Sequence, residues 1–351
     1  MKHLAYRTII AGLHATGLHR LLAPIYSGVG AILMFHHVRP AEPEDSFAPN
    51  RFLEVTPEFF DALIGHLRER DIEIITMSDV TRRLTDPQMG GGRRFACLSF
   101  DDGYIDNADI ALPVCRRHNA PMTLNVTSGM IDGANFPSWL VLEAILRERD
   151  QVTLVEAGQS VTIATASATE KHAAFHRIGR HVQTLTAERQ TAFLVSLAEN
   201  VDFDIKTFHR AQVMGWDKLA QMAADPLVEI GAHTVTHCVL KAQTDARAKQ
   251  EMAESRAVLA QRLGRPIDHF AYPGGGRDHA GARDFGLAAQ MGFLTAVTTR
   301  HGTLHPEHRH RLHALPRLSI NGLHQQLQTV DVFLSGATAA LENSFKRVVS
   351  A

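Results

Sequence analysis

Residues 94–104 read Arg94-Phe95-Ala96-Cys97-Leu98-Ser99-Phe100-Asp101-Asp102-Gly103-Tyr104: an apolar stretch that ends in two adjacent carboxylates and a glycine. A short continuous apolar run is the pattern of a strand buried on both faces, as in a parallel sheet covered by helices. Gly103 lets the backbone turn sharply beneath the two acids. One carboxylate can then ligate a cation while its neighbour acts as a base. Taken alone, the segment also reads as a solvated Asp-Asp-Gly turn.

The same design recurs along the chain. Ala31 to Phe35 is apolar and delivers His36 and His37, Met122 to Thr127 follows, and Leu227 to Ala232 delivers His233. His269 to Tyr272 runs into Pro273-Gly274-Gly275, and Leu294 to Thr298 continues the series. Helix-length segments separate these strands. Thr56-Pro57-Glu58 has the N-cap, N1 proline and acidic first turn of a helix reaching about Arg70. Ile72 to Thr76 reads as a strand, Ser78 to Leu84 as a short helix, and Gly90, Gly91 and Gly92 as an exposed turn. Asp109 to His118 and Thr244 to Leu263 are helical, the latter stopped by Gly264. Strands alternating with helices predict parallel pairing, with ligands at the strands' C-terminal ends. Every polar motif falls at such an end.

Between residues 136 and 225 the rhythm fails, and an insertion is expected. It comprises a helix near Trp139 to Arg149, a hairpin from Val152 to Ile163, and a long Ala-rich helical run to about Glu199. The insertion either shapes a substrate groove or merely covers the barrel. The expected organisation is a helical segment over 1–29, a barrel over 30–325 and a closing C-terminal helix over 326–351.

A formal charge of −1 leaves no basic field to gather nucleic acid. Cys97, Cys115 and Cys238 are too few and too scattered for a disulfide framework or a thiolate zinc site. The N-terminal residues lack an uninterrupted apolar region and a spanning segment, so a cytoplasmic protein is expected. Residues 4–22 read as one amphipathic basic helix, more readily packed on the barrel than laid on a membrane surface.

Histidine is the unusual residue, at 21 copies. Roughly one pair at i, i+4 is expected at that frequency, and three occur: His172/His176, His233/His237 and His301/His305. The first lies in a polar helical run and the last among Arg, Pro and Glu, so both read as surface features. Only His233/His237 follows an apolar strand. With a carboxylate it would form a two-histidine, one-acid set with open positions, the arrangement of a catalytic zinc centre.

SFDDGY, GAHTVTH and FAYPGG, at residues 99–104, 231–237 and 270–275, resemble in this order the motifs of the polysaccharide deacetylase family, which includes NodB-type chitooligosaccharide deacetylases. The resemblance covers roughly residues 30 to 320 and implies a distorted (β/α)7 barrel with a largely helical insertion. It implies that Asp102, His233 and His237 hold a divalent metal, usually zinc, and that Asp101 is the general base. It further implies that the backbone N–H of Tyr272 stabilises the oxyanion, with Pro273 and Gly274 shaping the substrate loop. Leu33-Met34-Phe35-His36 resembles the strand that a circularly permuted, exopolysaccharide-deacetylase-like subset carries at its N-terminus, which makes His36 the candidate general acid; His324 is the alternative. His37, on the opposite face of that strand, reads as structural. Leu315-Pro316-Arg317 resembles the stretch whose arginine orients the base, and Trp139 and Trp216 read as core. The implied reaction removes the N-acetyl group of an amino sugar and releases acetate. Another non-peptide C–N bond, or an inactive sugar-binding relative, would preserve much of the same pattern.

Overall fold

Seven apolar stretches form parallel strands: β1 (Gly30–Phe35), β2 (Phe95–Phe100), β3 (Met122–Val126), β4 (Val228–Ala232), β5 (His269–Ala271), β6 (Thr295–His301) and β7 (Leu315–Ser319). Each pairs with the next in sequence, and β1 pairs with both β2 and β7, so the sheet closes into a barrel. The chain is seen as a computed structural model that describes residues 2–43, 47–86, 88–89, 92–156 and 159–349. A two-residue strand, Glu73–Ile74, adds to the start of β2. Of the glycine turn expected before β2, Gly90 and Gly91 lie outside the described residues. The barrel is distorted where β5 shares a single register pair with β4, Phe270 with Ala232, and where the β6–β7 register shifts between Val297 and His301.

The two-residue period of each strand sorts the side chains. Ala31, Leu33, Phe35, Leu98 and Phe100 enter the main core between sheet and helices. Ile32, Cys97, Ala271, Val297 and Leu315 form a separate cluster with Met77, Val80 and Leu84 of the helix Met77–Thr85. That helix plugs the barrel at the strands' N-terminal end, where Glu229 accepts the Met77 and Ser78 amides at 2.7 and 3.1 Å. A carboxylate on the first turn is favourable because orphan N–H groups gather there. Above the apolar cluster the inward positions turn polar: Ser99, Asn125 and Arg317, and then Asp101. The interior is therefore a packed stack that changes from oily to charged toward the strands' C-terminal ends.

Several helices are shorter than their sequence pattern predicts. The N-terminal helix is two, α1 (Lys2–Ala15) and α2 (Leu18–Tyr26), because Gly17 takes a left-handed φ of 69° between them. The run toward Glu199 is likewise two, Ala168–Gln183 and Ala187–Asn200, with Thr186 accepting the Arg189 amide as a new cap. The C-terminal helix divides at Gly336 into Leu327–Leu334 and Ala337–Glu342. Periodicity carried through each break, but a local backbone reversal or cap ended the hydrogen-bond ladder. Within the expected insertion, the helices Ser138–Arg147, Ala168–Gln183 and Ala187–Asn200 close a second core around Val141, Ile145, Ile178 and Leu197. The antiparallel hairpin Gln151–Glu156 with Gln159–Ala164 packs Val152 and Leu154 into it. Leu219 of helix Trp216–Ala223 belongs instead to the main core.

Ile178 is fully buried in that second core. Ile178→Ala should lower unfolding free energy by about 2–5 kcal/mol, the range for large-to-Ala changes in a packed site. Urea denaturation would measure it, and a shift below about 0.5 kcal/mol would mean that the insertion is not held by this core.

Candidate active site

At the end of β2 the chain places Asp101 inward and turns immediately. Asp102 adopts φ 77°, and Thr234 and His237 adopt φ 61° and 57°. Such left-handed conformations cost non-glycine residues of order 1–3 kcal/mol and persist only where the surroundings over-determine them. Here part of the restraint is Glu251, buried on helix Asp245–Leu263. Its carboxylate accepts the Val235 and Thr236 amides at 2.9 and 3.0 Å and the Thr236 hydroxyl at 2.9 Å. The loop between the two histidines is thus pinned from below.

Asp102 Oδ1 lies 3.4 Å from His233 Nε2 and 3.2 Å from His237 Nε2. One donor atom from each of the three residues falls within 4.8 Å of the others. Yet Asp102 Oδ1 is buried and takes no hydrogen bond among the described residues. The separations bring charges together without aligning a donor on an acceptor. His233 Nδ1 sits 2.8 Å from the Ala271 carbonyl; a carbonyl only accepts, so Nδ1 carries the proton and Nε2 presents its lone pair to the cluster. An orphaned carboxylate oxygen between two imidazoles, one held in the ligating tautomer, fits a divalent cation of the zinc type. Burial works to raise the Asp102 pKa, but the two imidazoles outweigh it and hold the carboxyl well below the usual range.

Asp101 is held differently. Arg317, 1% exposed, donates Nη1 to Oδ1 at 2.8 Å and Nη2 to Oδ2 at 2.7 Å. Its Nε donates to the Thr298 carbonyl at 2.9 Å, and Nη1 also reaches Ser99 Oγ at 3.2 Å. Asn125 Nδ2 adds a bond to Asp101 Oδ1 at 2.9 Å. Burial opposes ionisation of Asp101, and the Arg317 charge overrides it, keeping the carboxyl below its ordinary pKa. The fork geometry is the strong form of this pair.

His36 follows β1 and lies half-buried beside the two acids. Burial pushes its pKa down, while Asp102 and Asp101 pull it up. His37 turns away: its Nδ1 meets Asp106 Oδ2 at 2.6 Å and its ring stacks on Tyr104 with centroids 3.6 Å apart. The Tyr104 hydroxyl accepts from Trp139 Nε1 at 2.9 Å, and the Trp139 ring lies 4.8 Å from that of His237. Trp139 is therefore a wall of the site rather than core filler. It lines a cleft of about 560 Å³ with Thr186 and Glu188 of the insertion on one side and His237, Pro273 and Gly274 on the other. The insertion thus lines the cleft beside His237.

Three expectations need correction. The Tyr272 amide donates to the Val297 carbonyl at 3.1 Å and is spent in the barrel ladder, so it cannot meet an oxyanion. His301 and His305 are not exposed: His301 is half-buried under the C-terminal helices, its Nε2 2.8 Å from Thr338 Oγ1, and His305 is 4% exposed, packed against Gly28 and Thr303. His324 packs on Tyr6 and Phe333, away from the site. His172 and His176 are exposed, as their polar context implies.

Asn125, Glu251 and Gly231 went unread in the sequence. A lone Asn in the apolar strand Met122–Val126 was the available signal for the first. Gly231 is legible only in three dimensions, since a Cβ there would collide with Asn125 Oδ1 and crowd the His269 carbonyl. For Glu251, one acid among many on a helix, no signal was available.

A family model described as polysaccharide deacetylase matches residues 89–293. Comparison with curated proteins finds no match. Among solved structures, the Streptococcus pyogenes deacetylase PplD, in complex with acetate, is similar over 85% of this chain and 96% of its own at 18% identity and TM-score 0.56. IcaB from Ammonifex degensii is similar over 88% of this chain and 97% of its own, at 14% identity and TM-score 0.55. These structural likenesses speak for the barrel, and the family model spans the motifs at 99–104, 231–237 and 270–275. The chain belongs to the polysaccharide deacetylase family and is a hydrolase of the carbohydrate N-deacetylase kind.

Proposed function

We propose that the protein is a metal-dependent hydrolase that removes the N-acetyl group from an amino sugar within an oligosaccharide, polysaccharide or glycoconjugate precursor. The observation that carries this reading is the orphaned Asp102 Oδ1 between His233 Nε2 and His237 Nε2, with Asp101 held beside it by Arg317. Asp102, His233 and His237 would hold a divalent cation, zinc foremost, which when bound would supply Lewis acidity toward the amide and lower the pKa of water.

The chain's own groups divide the remaining work. Asp101 stays ionised under the Arg317 charge, and its Oδ2, with a single donor, keeps a lone pair for the proton of an attacking water. Arg317 and Asn125 fix the direction of that lone pair. The Gly274 amide has no acceptor among the described residues and lines the cleft beside His237, so it is the backbone donor we assign to the developing oxyanion. His36, whose neighbours include Asp102 and Asp101, is the residue we assign to return a proton to the departing amine. Trp139 and the Thr186–Glu188 segment give the cleft an apolar and a polar wall for a sugar ring. The buried or half-buried free thiols Cys97, Cys115 and Cys238 favour a reducing, cytoplasmic setting.

Asp102→Ala should abolish acetate release from N-acetylated chitooligosaccharides or nucleotide-linked N-acetyl sugars, and elemental analysis should find one equivalent of metal in the wild type and none in the variant. Chelation of the wild type should have the same effect, reversed by zinc or cobalt; activity that survives chelation would refute the metal. Asp101→Asn should keep the metal and lower kcat by about 10²–10⁴-fold, the scale of a lost general base; near-normal turnover would remove Asp101 from that role. Gly231→Ala should retain metal, displace Asn125 and lower kcat at least tenfold with little change in KM. An unchanged kcat would show that Asn125 does not position the base.

A further inference from the structure

We propose that the layer formed by α1, α2 and the C-terminal residues is a docking surface for an anionic phospholipid membrane. Among the described residues, six of the ten exposed large apolar side chains lie here: Ile9, Leu18, Leu21, Ile25, Leu341 and Phe345. Leu18, Leu21 and Ile25 recur at helical spacing on α2 and are 43%, 75% and 53% exposed. Their spacing puts them on one face of the helix. Phe345 joins this face through Tyr26, with ring centroids 6.4 Å apart. A concentration of this kind on an otherwise ordinary surface marks an interaction site.

Charge selects the partner. Among the described side chains, α1 and α2 carry Arg7 and Arg20 and no acidic residue, and Lys346 and Arg347 follow Phe345, with Arg347 paired to Glu307 at 3.4 Å. Glu342, the nearby acid, is engaged by the Tyr6 hydroxyl at 2.8 Å. Beneath α2 lies a cleft of about 400 Å³ whose wall includes Arg20, Arg70, Arg94 and a single carboxylate, Asp331. Asp331 is already paired with His66 and Arg70. Arg94 spends Nη2 on the Ser27 and Leu334 carbonyls, while its buried Nε has no partner among the described residues. Apolar residues beside the cations Arg7, Arg20 and Lys346, with an arginine-lined cleft of headgroup size on the same helix, match an anionic bilayer interface. No described helix is long and apolar enough to cross a membrane, so contact would be peripheral. Tyr26 precedes β1 and Arg94 precedes β2, which puts α2 and its arginine-lined cleft at the strands' N-terminal end, opposite the catalytic cleft. A docked enzyme would present its cleft to the aqueous side.

The test is co-sedimentation of the full chain with vesicles of phosphatidylglycerol and phosphatidylcholine, against phosphatidylcholine alone. At least tenfold tighter binding to the anionic vesicles is expected. The triple variant Leu18→Ser, Leu21→Ser, Ile25→Ser and the single variant Arg20→Glu should each weaken it at least tenfold, with circular dichroism and acetate release unchanged. Absence of binding to anionic vesicles would overturn the proposal, as would binding that neither variant alters. A concentration-dependent dimer in light scattering, abolished by the triple variant without vesicle binding, would assign the face to a second copy instead and equally overturn it.

Discussion

The Arg317–Asp101 pair is the constraint around which the barrel interior is arranged. An ionised arginine and an ionised aspartate have both been taken out of water, and each would be costly there without the other. The pair persists because both of its members are met by further polar groups. Thr298 supplies a carbonyl, Ser99 a hydroxyl and Asn125 an amide, all from neighbouring strands. Gly231 gives Asn125 the room to stand where it does. The apolar layer beneath, plugged by helix Met77–Thr85, keeps water from undoing the arrangement from the other end.

Asp102 shows the contrasting case. Its neighbour in sequence has every oxygen occupied by a donor, while its own buried Oδ1 faces two imidazole nitrogens and has no hydrogen bond among the described residues. Two adjacent carboxylates thus acquire different surroundings: one restrained by a fixed cation of the protein, the other left with an oxygen open between two imidazoles. The left-handed turn at Asp102 separates them, sending consecutive side chains to different places.

Much of this was legible in residues 94–104 and 227–237, because an apolar strand followed by Asp, Asp and Gly, or by His and His, needs no tertiary knowledge to read. The barrel's alternation was legible for the same reason. Helix breaks were not, since Gly17 and Gly336 sit inside runs whose periodicity continues across them. The amide of Tyr272 was misassigned because a side-chain motif does not reveal which backbone donors the sheet has already used. His301 and His305 were misread because their polar neighbours suggested solvent, whereas distant segments cover them, the C-terminal helices over His301 and Gly28 against His305. Glu251 could not be found at all: its role exists only in the loop it reaches.

The closure of the sheet by β1 and β7 has a consequence for how the enzyme comes into being. Arg317 and Asp101 are 216 positions apart, so a chain emerging from the ribosome at ~5–20 residues per second exposes Asp101 for roughly 10–40 s before its partner exists. Through that interval Asp102, His233 and His237 can be made while the carboxylate beside them has no fixed direction. The charged centre of the barrel is therefore completed only with the last strand, and the order of synthesis itself delays its assembly until the barrel is able to close.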